Sequence, residues 1–483
     1  MARQGGVVRR RESPLTTSRP AGLEKKMHAT TPPPRRQAPR MLSVALVALA
    51  LATAACSSST TPSGRGRSGS SAAYPAQPWP GSFRSSLLTG VTSTAALSCA
   101  TSARCSAVAV GVAPSAPGSA GSTSTTAGSV PAPVPLLLTT TDGGSRWTRT
   151  AAPSPISFLS DISCPASWCV AGGQELGGPG PSGAFVVSAD GGRTWSAVPA
   201  PNGVTDVTAL TCLADRWCLA VGTSPFGPLG LASADAGATW TMQGPVRNGA
   251  SSATAVSCVS QADCWATTYA SSGPDHATGS VLATSDGGAT WLPAAALPAG
   301  TGFLSGIACT GAVSPGTGSS APGSPGTGSS APGSPGTGSS APASSTSGPP
   351  STAGTTTTST LPALPGGDCV VTGTTATTFG APRSGTAVLL TTTDGGSTWT
   401  PETVGSSIAS LGAVSCPTSS ACVATGSTTA TTSQAGVLVL TGAAAQPWSA
   451  ARTQLVPEAP VALSCPALGH CLAAGGPVLE RLG

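Results

Sequence analysis

Short apolar or β-branched runs recur along the chain, and each is cut off by a cluster of turn residues: Leu136–Thr141, Phe185–Ser188, Val281–Thr284 and Val388–Thr393. Runs of this length and composition, bounded in this way, predict β-strands. The turn clusters are close copies of one another: TTTDGGSRW over Thr139–Trp147, then SADGGRTW ending at Trp195, SADAGATW at Trp240, TSDGGATW at Trp291 and TTDGGSTW at Trp399. Glycine accepts positive φ, and an Asp carboxylate can accept bonds from nearby backbone N–H groups, so the Asp-Gly core predicts a tight hairpin turn. The Trp that follows is large enough to fill the gap between two packed sheets.

Cysteine spacing sets the number of units. Beyond Cys56, fourteen cysteines fall into seven local pairs: Cys99 with Cys105, Cys164 with Cys169, Cys212 with Cys218, Cys258 with Cys264, Cys309 with Cys369, Cys416 with Cys422, and Cys465 with Cys471. Successive first members lie 46 to 65 residues apart, except for the step from Cys309 to Cys416, which holds a long insertion. A four-stranded propeller blade occupies about 45–50 residues. Each unit reads as strand A ending in Cys, strand B beginning at Cys, strand C, the Asp-Gly turn, and strand D starting at Trp. Facing residues of an antiparallel hairpin are about 4.5–5.5 Å apart at Cα, which suits a disulfide. Metal ligation is the alternative. It is disfavoured because the spacing lacks a second CxxC or a His at ligand distance, and His470 beside Cys471 has no counterpart in other units.

The octet resembles the Asp-box, or BNR, repeat of sialidase-like and sortilin-like β-propellers and of photosystem II stability/assembly factor-like proteins. Together with the cysteine count, the resemblance implies an all-β, seven-bladed β-propeller of four-stranded antiparallel blades. It also implies that the box aspartates Asp142, Asp190, Asp235, Asp286 and Asp394 are structural turn residues remote from the ligand face. The last unit stops after a third strand with no Trp, whereas Gln77-Pro78-Trp79 near the start repeats Gln446-Pro447-Trp448 of the sixth unit. An N-terminal strand is therefore expected to complete the last blade and close the ring, removing two open sheet edges. The expected inter-blade indoles are Trp79, Trp147, Trp195, Trp240, Trp291, Trp399 and Trp448.

Two stretches interrupt the pattern, at about 113–135 and 313–366, the latter with tandem SPGTGSSAPG-type decapeptides. Such compositions bury too little apolar surface to fold, so they are expected as solvated insertions. At the front, residues 1–40 carry ten basic and two acidic side chains, Leu42–Ala52 is apolar apart from one Ser, and Ala54-Ala55-Cys56 follows. This order predicts a signal peptide over 1–55, with Met27 as the expected true start. The apolar run is too short for a membrane span. Ala-Ala-Cys resembles a bacterial lipobox, with Thr53 where Leu is preferred; lipidation of Cys56 would account for the odd cysteine of an exported chain. Residues 56–76 read as a Ser/Gly-rich tether and 77–483 as the propeller. From Cys56 onward there are 12 Arg, no Lys and 15 Asp plus Glu, a balance of −3. The basic excess belongs to the leader, and no nucleic-acid partner is expected.

Candidate chemistry is sparse. The A-to-B and C-to-D turns share one face, which leaves the B-to-C and D-to-A loops on the other, where propellers of this kind place their sites. Charged residues expected there are Arg149, Glu175, Asp206, Arg247, Asp275, His276, Arg383 and Glu402. A sialidase needs three arginines for the substrate carboxylate and a Tyr–Glu pair; here Arg-Ile-Pro is absent and only Tyr74 and Tyr269 remain. No catalytic residues, metal site or cofactor are assigned. The reading is an exported protein, lipid-anchored on the outer side of a bacterial membrane or secreted, that acts as a non-catalytic scaffold or binding module for a protein or glycan. The alternatives are a divergent glycoside hydrolase and a membrane-associated assembly factor.

Overall fold

A disulfide across the first hairpin of every unit organises the architecture. The computed structural model describes residues 83–114, 132–246, 249–273, 276–311, 364–376, 385–404, 408–428, 435–443, 446–456 and 460–482. β1 (Phe83–Leu87) precedes six sheets, each made of four strands consecutive in the chain. The first sheet is β2 (Val91–Cys99), β3 (Cys105–Gly111), β4 (Val134–Thr140) and β5 (Thr148–Ala151). The second is β6 (Ile156–Ser163), β7 (Cys169–Glu175), β8 (Ser182–Ser188) and β9 (Ser196–Pro199). The third is β10 (Asp206–Cys212), β11 (Cys218–Ser224), β12 (Gly227–Ser233) and β13 (Thr241–Pro245). The fourth is β14 (Ser252–Cys258), β15 (Cys264–Gly273), β16 (His276–Thr284) and β17 (Leu292–Pro293). The fifth is β18 (Leu304–Gly311), β19 (Gly367–Thr374), β20 (Ala387–Thr392) and β21 (Thr400–Pro401). The sixth is β22 (Ile408–Thr418), β23 (Ala421–Thr428), β24 (Ala435–Ala443) and β25 (Gln446–Val456).

A further, composite sheet joins β26 (Ala462–Ala467), β27 (His470–Gly475) and β28 (Val478–Leu482) to β1, in the order β1-β28-β27-β26. β1 runs antiparallel to β28, from Phe83 opposite Leu482 to Leu87 opposite Val478. The expected closing residue, Trp79, lies outside the described residues. So do the leader, the tether with Cys56, and most of both expected insertions. β4 begins at Val134, so the ordered strand reaches into the stretch expected to be insertion. The reason is Val134 itself, which pairs with Gly111 and packs against the core beside Leu136.

All strand pairings are antiparallel, and the sheets are arranged as a β-propeller. The first strands β2, β6, β10, β14, β18 and β22, with β26, are innermost; each touches the next, and β26 touches β2. The core is divided accordingly into layers between neighbouring sheets. One layer sets Phe185 of the second sheet against Trp240 of the third, with rings stacked 3.9 Å apart and 4° from parallel. Another sets Leu138 of the first sheet against Leu472 and Leu479 of the composite sheet. Trp168, Trp217 and Trp265, beside the cysteine hairpins, are buried in these layers.

The seven cysteine pairs are all disulfides, with Cα atoms 3.9 to 4.2 Å apart. In the loop-entropy account each short bridge stabilises by about 2 kcal/mol, and Cys309–Cys369, 60 residues apart, by about 4 kcal/mol. A second set of ties crosses between sheets. The residue before the first cysteine is Ser98, Ser163, Ser257, Ser415 or Ser464, and its Oγ accepts the N–H of the first cysteine of the next sheet. The last of these, Cys99 N–H to Ser464 Oγ at 2.9 Å, ties the composite sheet to the first. No helix among the described residues is long and apolar enough to cross a membrane.

Candidate functional site

Antiparallel alternation gives the propeller two unlike faces. One carries the disulfide hairpins and the Asp-Gly turns, which bond to each other within a sheet: Gly143 N–H to Ala103 O, Ala236 N–H to Arg216 O, Gly287 N–H to Ala262 O and Gly395 N–H to Gly367 O. In every turn the hydroxyl of the Thr or Ser two residues before Asp donates to Asp Oδ1, at 2.7 to 2.8 Å, and accepts the N–H of the second glycine. Asp Oδ1 accepts the N–H four residues on. In four turns Oδ2 also accepts the hydroxyl of that residue, Thr194, Thr239, Thr290 or Thr398. The Thr194 hydroxyl and amide hold Asp190 far below the usual carboxylate range. Burial works against Asp235, Asp286 and Asp394, but the hydrogen bonds outweigh it and their carboxyls are lowered too. Asp142, where Arg146 replaces the Thr, is lowered by the Arg146 amide and the Thr140 hydroxyl. These carboxylates are engaged within their own turns.

The rest of this turn face is also polar. Arg104, Arg146, Arg193, Asp215, Arg216, Asp263 and His470 lie in the same two sets of turns. Of the large apolar side chains exposed among the described residues, only Leu468 lies in these turns.

The opposite face, formed by the B-to-C and D-to-A connections, is built differently. Leu87, Val112, Phe158, Leu176, Phe226 and Val461 are exposed at strand ends or loops on this face. Phe226 is 94% exposed at the tip of the tight β11–β12 turn, where Ser224 Oγ accepts the Phe226 N–H and donates to Gly227 O.

Second- and third-sheet residues meet at this rim. Gln174 Nε2 donates to Thr205 O at 3.0 Å, joining the end of β7 to the residue before β10. Phe158 pairs with Gln174, Ile156 with Glu175, and Asp206 with Thr223. Ser157 Oγ accepts the Leu176 N–H at 3.1 Å. Glu175 and Asp206 therefore share one rim with Phe158, Leu176 and Phe226. Asp206 Oδ1 is buried without a hydrogen-bond partner among the described residues, and burial raises this carboxyl above its ordinary value.

The remaining candidates disperse. Arg149 lies in β5 opposite Leu138, not in a loop. Its guanidinium sits against Gly90 and lines a cavity of about 230 Å³ between β1 and the first sheet, with Leu87, Leu88 and Trp147. β5 pairs as far as Ala151, so the Arg149 backbone lies in the outer strand of its sheet, while its guanidinium reaches Gly90 in the connection from β1 to β2. Glu402 is drawn to the outer edge of the fifth sheet, its N–H donating to Leu389 O and its Oε1 accepting from Thr391 Oγ1. His276 opens β16 opposite Gly273. Arg247, Asp275 and Arg383 lie outside the described residues. Tyr269 packs its ring 5.4 Å from that of Phe303.

Two further carboxylates escaped the sequence reading. Asp161, on innermost strand β6, accepts the N–H of Ile162 and, across to the third sheet, that of Leu210, both at 2.8 Å. Burial raises its carboxyl to about 6, against the pull of those two amides. Aligning the units on their first cysteines would have exposed it. Asp161 stands three residues before Cys164, where the other sheets have Ala96, Ala209, Ala255, Gly306, Ala413 and Ala462. Glu480, on β28, is buried, accepts from Ser85 Oγ at 2.7 Å, and is raised by burial. Its place in the last strand carried no repeat signal.

No protein-family model matches this chain, and no curated protein matches it. Among solved structures it is similar to YCF48 bound to D1 peptide, at 12% identity over 85% of this chain and 98% of that one, with a TM-score of 0.46. It is also similar to YCF48 from Cyanidioschyzon merolae, at 12% identity over 83% and 98%, TM-score 0.45. A third similar structure is Trypanosoma rangeli sialidase, at 10% identity over 81% and 55%, TM-score 0.35. At these values the likeness transfers no activity, ligand or partner, and the propeller architecture is read from the strand pairing itself.

Proposed function

We propose that the chain is an exported, seven-bladed Asp-box propeller, closed by its N-terminal strand, which acts as a non-catalytic binding module for a protein or glycan. The observation that carries the reading is the division of labour between the faces. On one face disulfides and turn carboxylates are consumed in bracing the blades; on the other, exposed apolar side chains project from a rigid rim. Apolar groups held in water at strand ends are a feature of interaction surfaces. Disulfides in every unit fit an oxidising compartment, in keeping with the leader and with a lipid on Cys56. β1 starts at the turn face, Phe83 being opposite Leu482 and Leu482 opposite Cys471. The chain thus enters the propeller on the side away from the rim.

The test uses the oxidised, purified chain on arrays of glycans and peptides, with hydrogen-exchange protection to locate the bound ligand and a glycoside panel to measure turnover. Saturable binding with protection over the B-to-C and D-to-A connections is expected, without turnover. Glycoside hydrolysis lost on Glu175→Gln would replace this reading with the hydrolase one, and protection confined to the turn face would overturn it.

A further inference from the structure

The rim shared by the second and third sheets differs from the rest of the surface in three respects that converge on one ligand chemistry. First, it presents apolar side chains with little of their area covered: Phe158 is 42% exposed, Leu176 58% and Phe226 94%. They are set on a firm base, because the Gln174–Thr205 bond and the Ser157–Leu176 bond tie their strands together. A Phe at the tip of a two-residue turn gains nothing for the fold, and leaving it in water forgoes the stabilisation its burial would give. Secondly, the charges beside it among the described residues are of one sign, Glu175 and Asp206, Arg247 of the third sheet's D-to-A connection lying outside them. Thirdly, Asp206 Oδ1 is buried with no donor among the described residues. A buried acceptor without a donor is costly, and more so on a charged group. A donor brought by a ligand would recover that cost.

Resting on the binding-module reading above, we propose that this rim captures a partner polypeptide segment in which a cationic side chain sits beside apolar ones, the cation meeting Asp206 and Glu175 and the apolar groups covering Phe158, Leu176 and Phe226. Self-association through the same rim is disfavoured, since a two-fold contact would set these carboxylates against their own copies. An anionic membrane surface is disfavoured for the same reason of sign.

The experiment measures fluorescence anisotropy of the full oxidised chain with three labelled peptides of equal length. One alternates Leu with Arg, one alternates Leu with Glu, and one alternates Ser with Arg. The Leu/Arg peptide is expected to bind at least about tenfold more tightly than either other peptide, a difference of about 1.4 kcal/mol. Phe226→Ser is expected to weaken it by about tenfold or more, in the range of an interface anchor. Its melting temperature should not move, because the ring touches little of the protein. Asp206→Asn should weaken the Leu/Arg peptide and flatten its salt dependence, while Leu468→Ser, on the turn face, should change neither. Equal binding of the Leu/Glu peptide, or indifference to Phe226→Ser, overturns the proposal. Failure of all three peptides while a glycan protects the same rim also overturns it, but leaves the binding-module reading standing. Ligand protection confined to the turn face removes both.

Discussion

At the scale of single residues, two sets of carboxylates are perturbed in opposite directions, and pH separates them. The turn aspartates are lowered by donated hydrogen bonds, so the stability they contribute is present above the unfolded value near 4 and is lost as pH falls through their folded values. Asp161 behaves oppositely. Its folded value is raised to about 6, so the folded state holds its proton longer than the unfolded chain, and stability falls as pH rises from about 4 to 6. A shift of this size corresponds to on the order of 3 kcal/mol. Asp161→Ala installs the residue type found at this position in most other sheets. The expected outcome is that the mutant declines less steeply between pH 4 and 6, what remains coming from the raised carboxyls of Asp206 and Glu480, while both proteins lose stability below pH 4. Denaturant titrations across that range check it, and parallel curves for the two proteins would refute the assignment. The departure of Asp161 from the Ala or Gly of the other units is visible in the sequence, but a lone Asp in a strand carries no sign of which amide it will meet. Leu210, its partner, lies in the next sheet.

At the scale of elements, the Asp-Gly turn was legible almost atom by atom. The requirement for positive φ follows from the glycines, and they adopt it: Gly143 at 69° and Gly144 at 88°, with matching values in the other turns. What the octet did not reveal is that its second glycine is also pressed against the preceding sheet. A Cβ on Gly237 would lie 2.7 Å from a Val170 methyl carbon and 3.0 Å from one of Val187. The third-sheet turn departs from the pattern at the first position, where Ala236 holds φ at 63°. Ala236→Gly should therefore stabilise by up to about 1 kcal/mol, since it relieves an Ala at positive φ at the cost of unfolded-state entropy. Gly237→Ala should destabilise by about 2–3 kcal/mol, combining strain and overpacking. Chemical denaturation of both variants gives the comparison; an Ala236→Gly protein less stable than the parent would mean the turn is not strained.

At the scale of the whole molecule, the composite sheet of β1 with β26, β27 and β28 is the decisive element. β1 supplies the outer strand of a sheet whose other three strands end the chain, bringing Ser85 to Glu480 and Leu88 N–H to Pro477 O. Deleting the chain through Leu87 would leave β28 as an open edge beside a buried, unpaired Glu480. The truncated protein is expected to melt more than about 5 °C lower, corresponding to a loss of at least 1–2 kcal/mol, and to self-associate on gel filtration. A truncation with unchanged melting temperature and monomeric elution would remove β1 from any role in closure. Repeats of Cys, Asp-Gly and Trp act within one unit, over separations short enough to read from the chain, and they settled the strands, the bridges and the turn chemistry. Contacts between units were another matter. The seriate ties from Ser98 to Ser464, the seat of Asp161 and the rim that unites Phe158, Glu175, Leu176, Asp206 and Phe226 depend on which sheet stands beside which. Only ring geometry places residues from different units side by side, because a side chain reaches its neighbour across a sheet gap whose partners lie tens of residues apart.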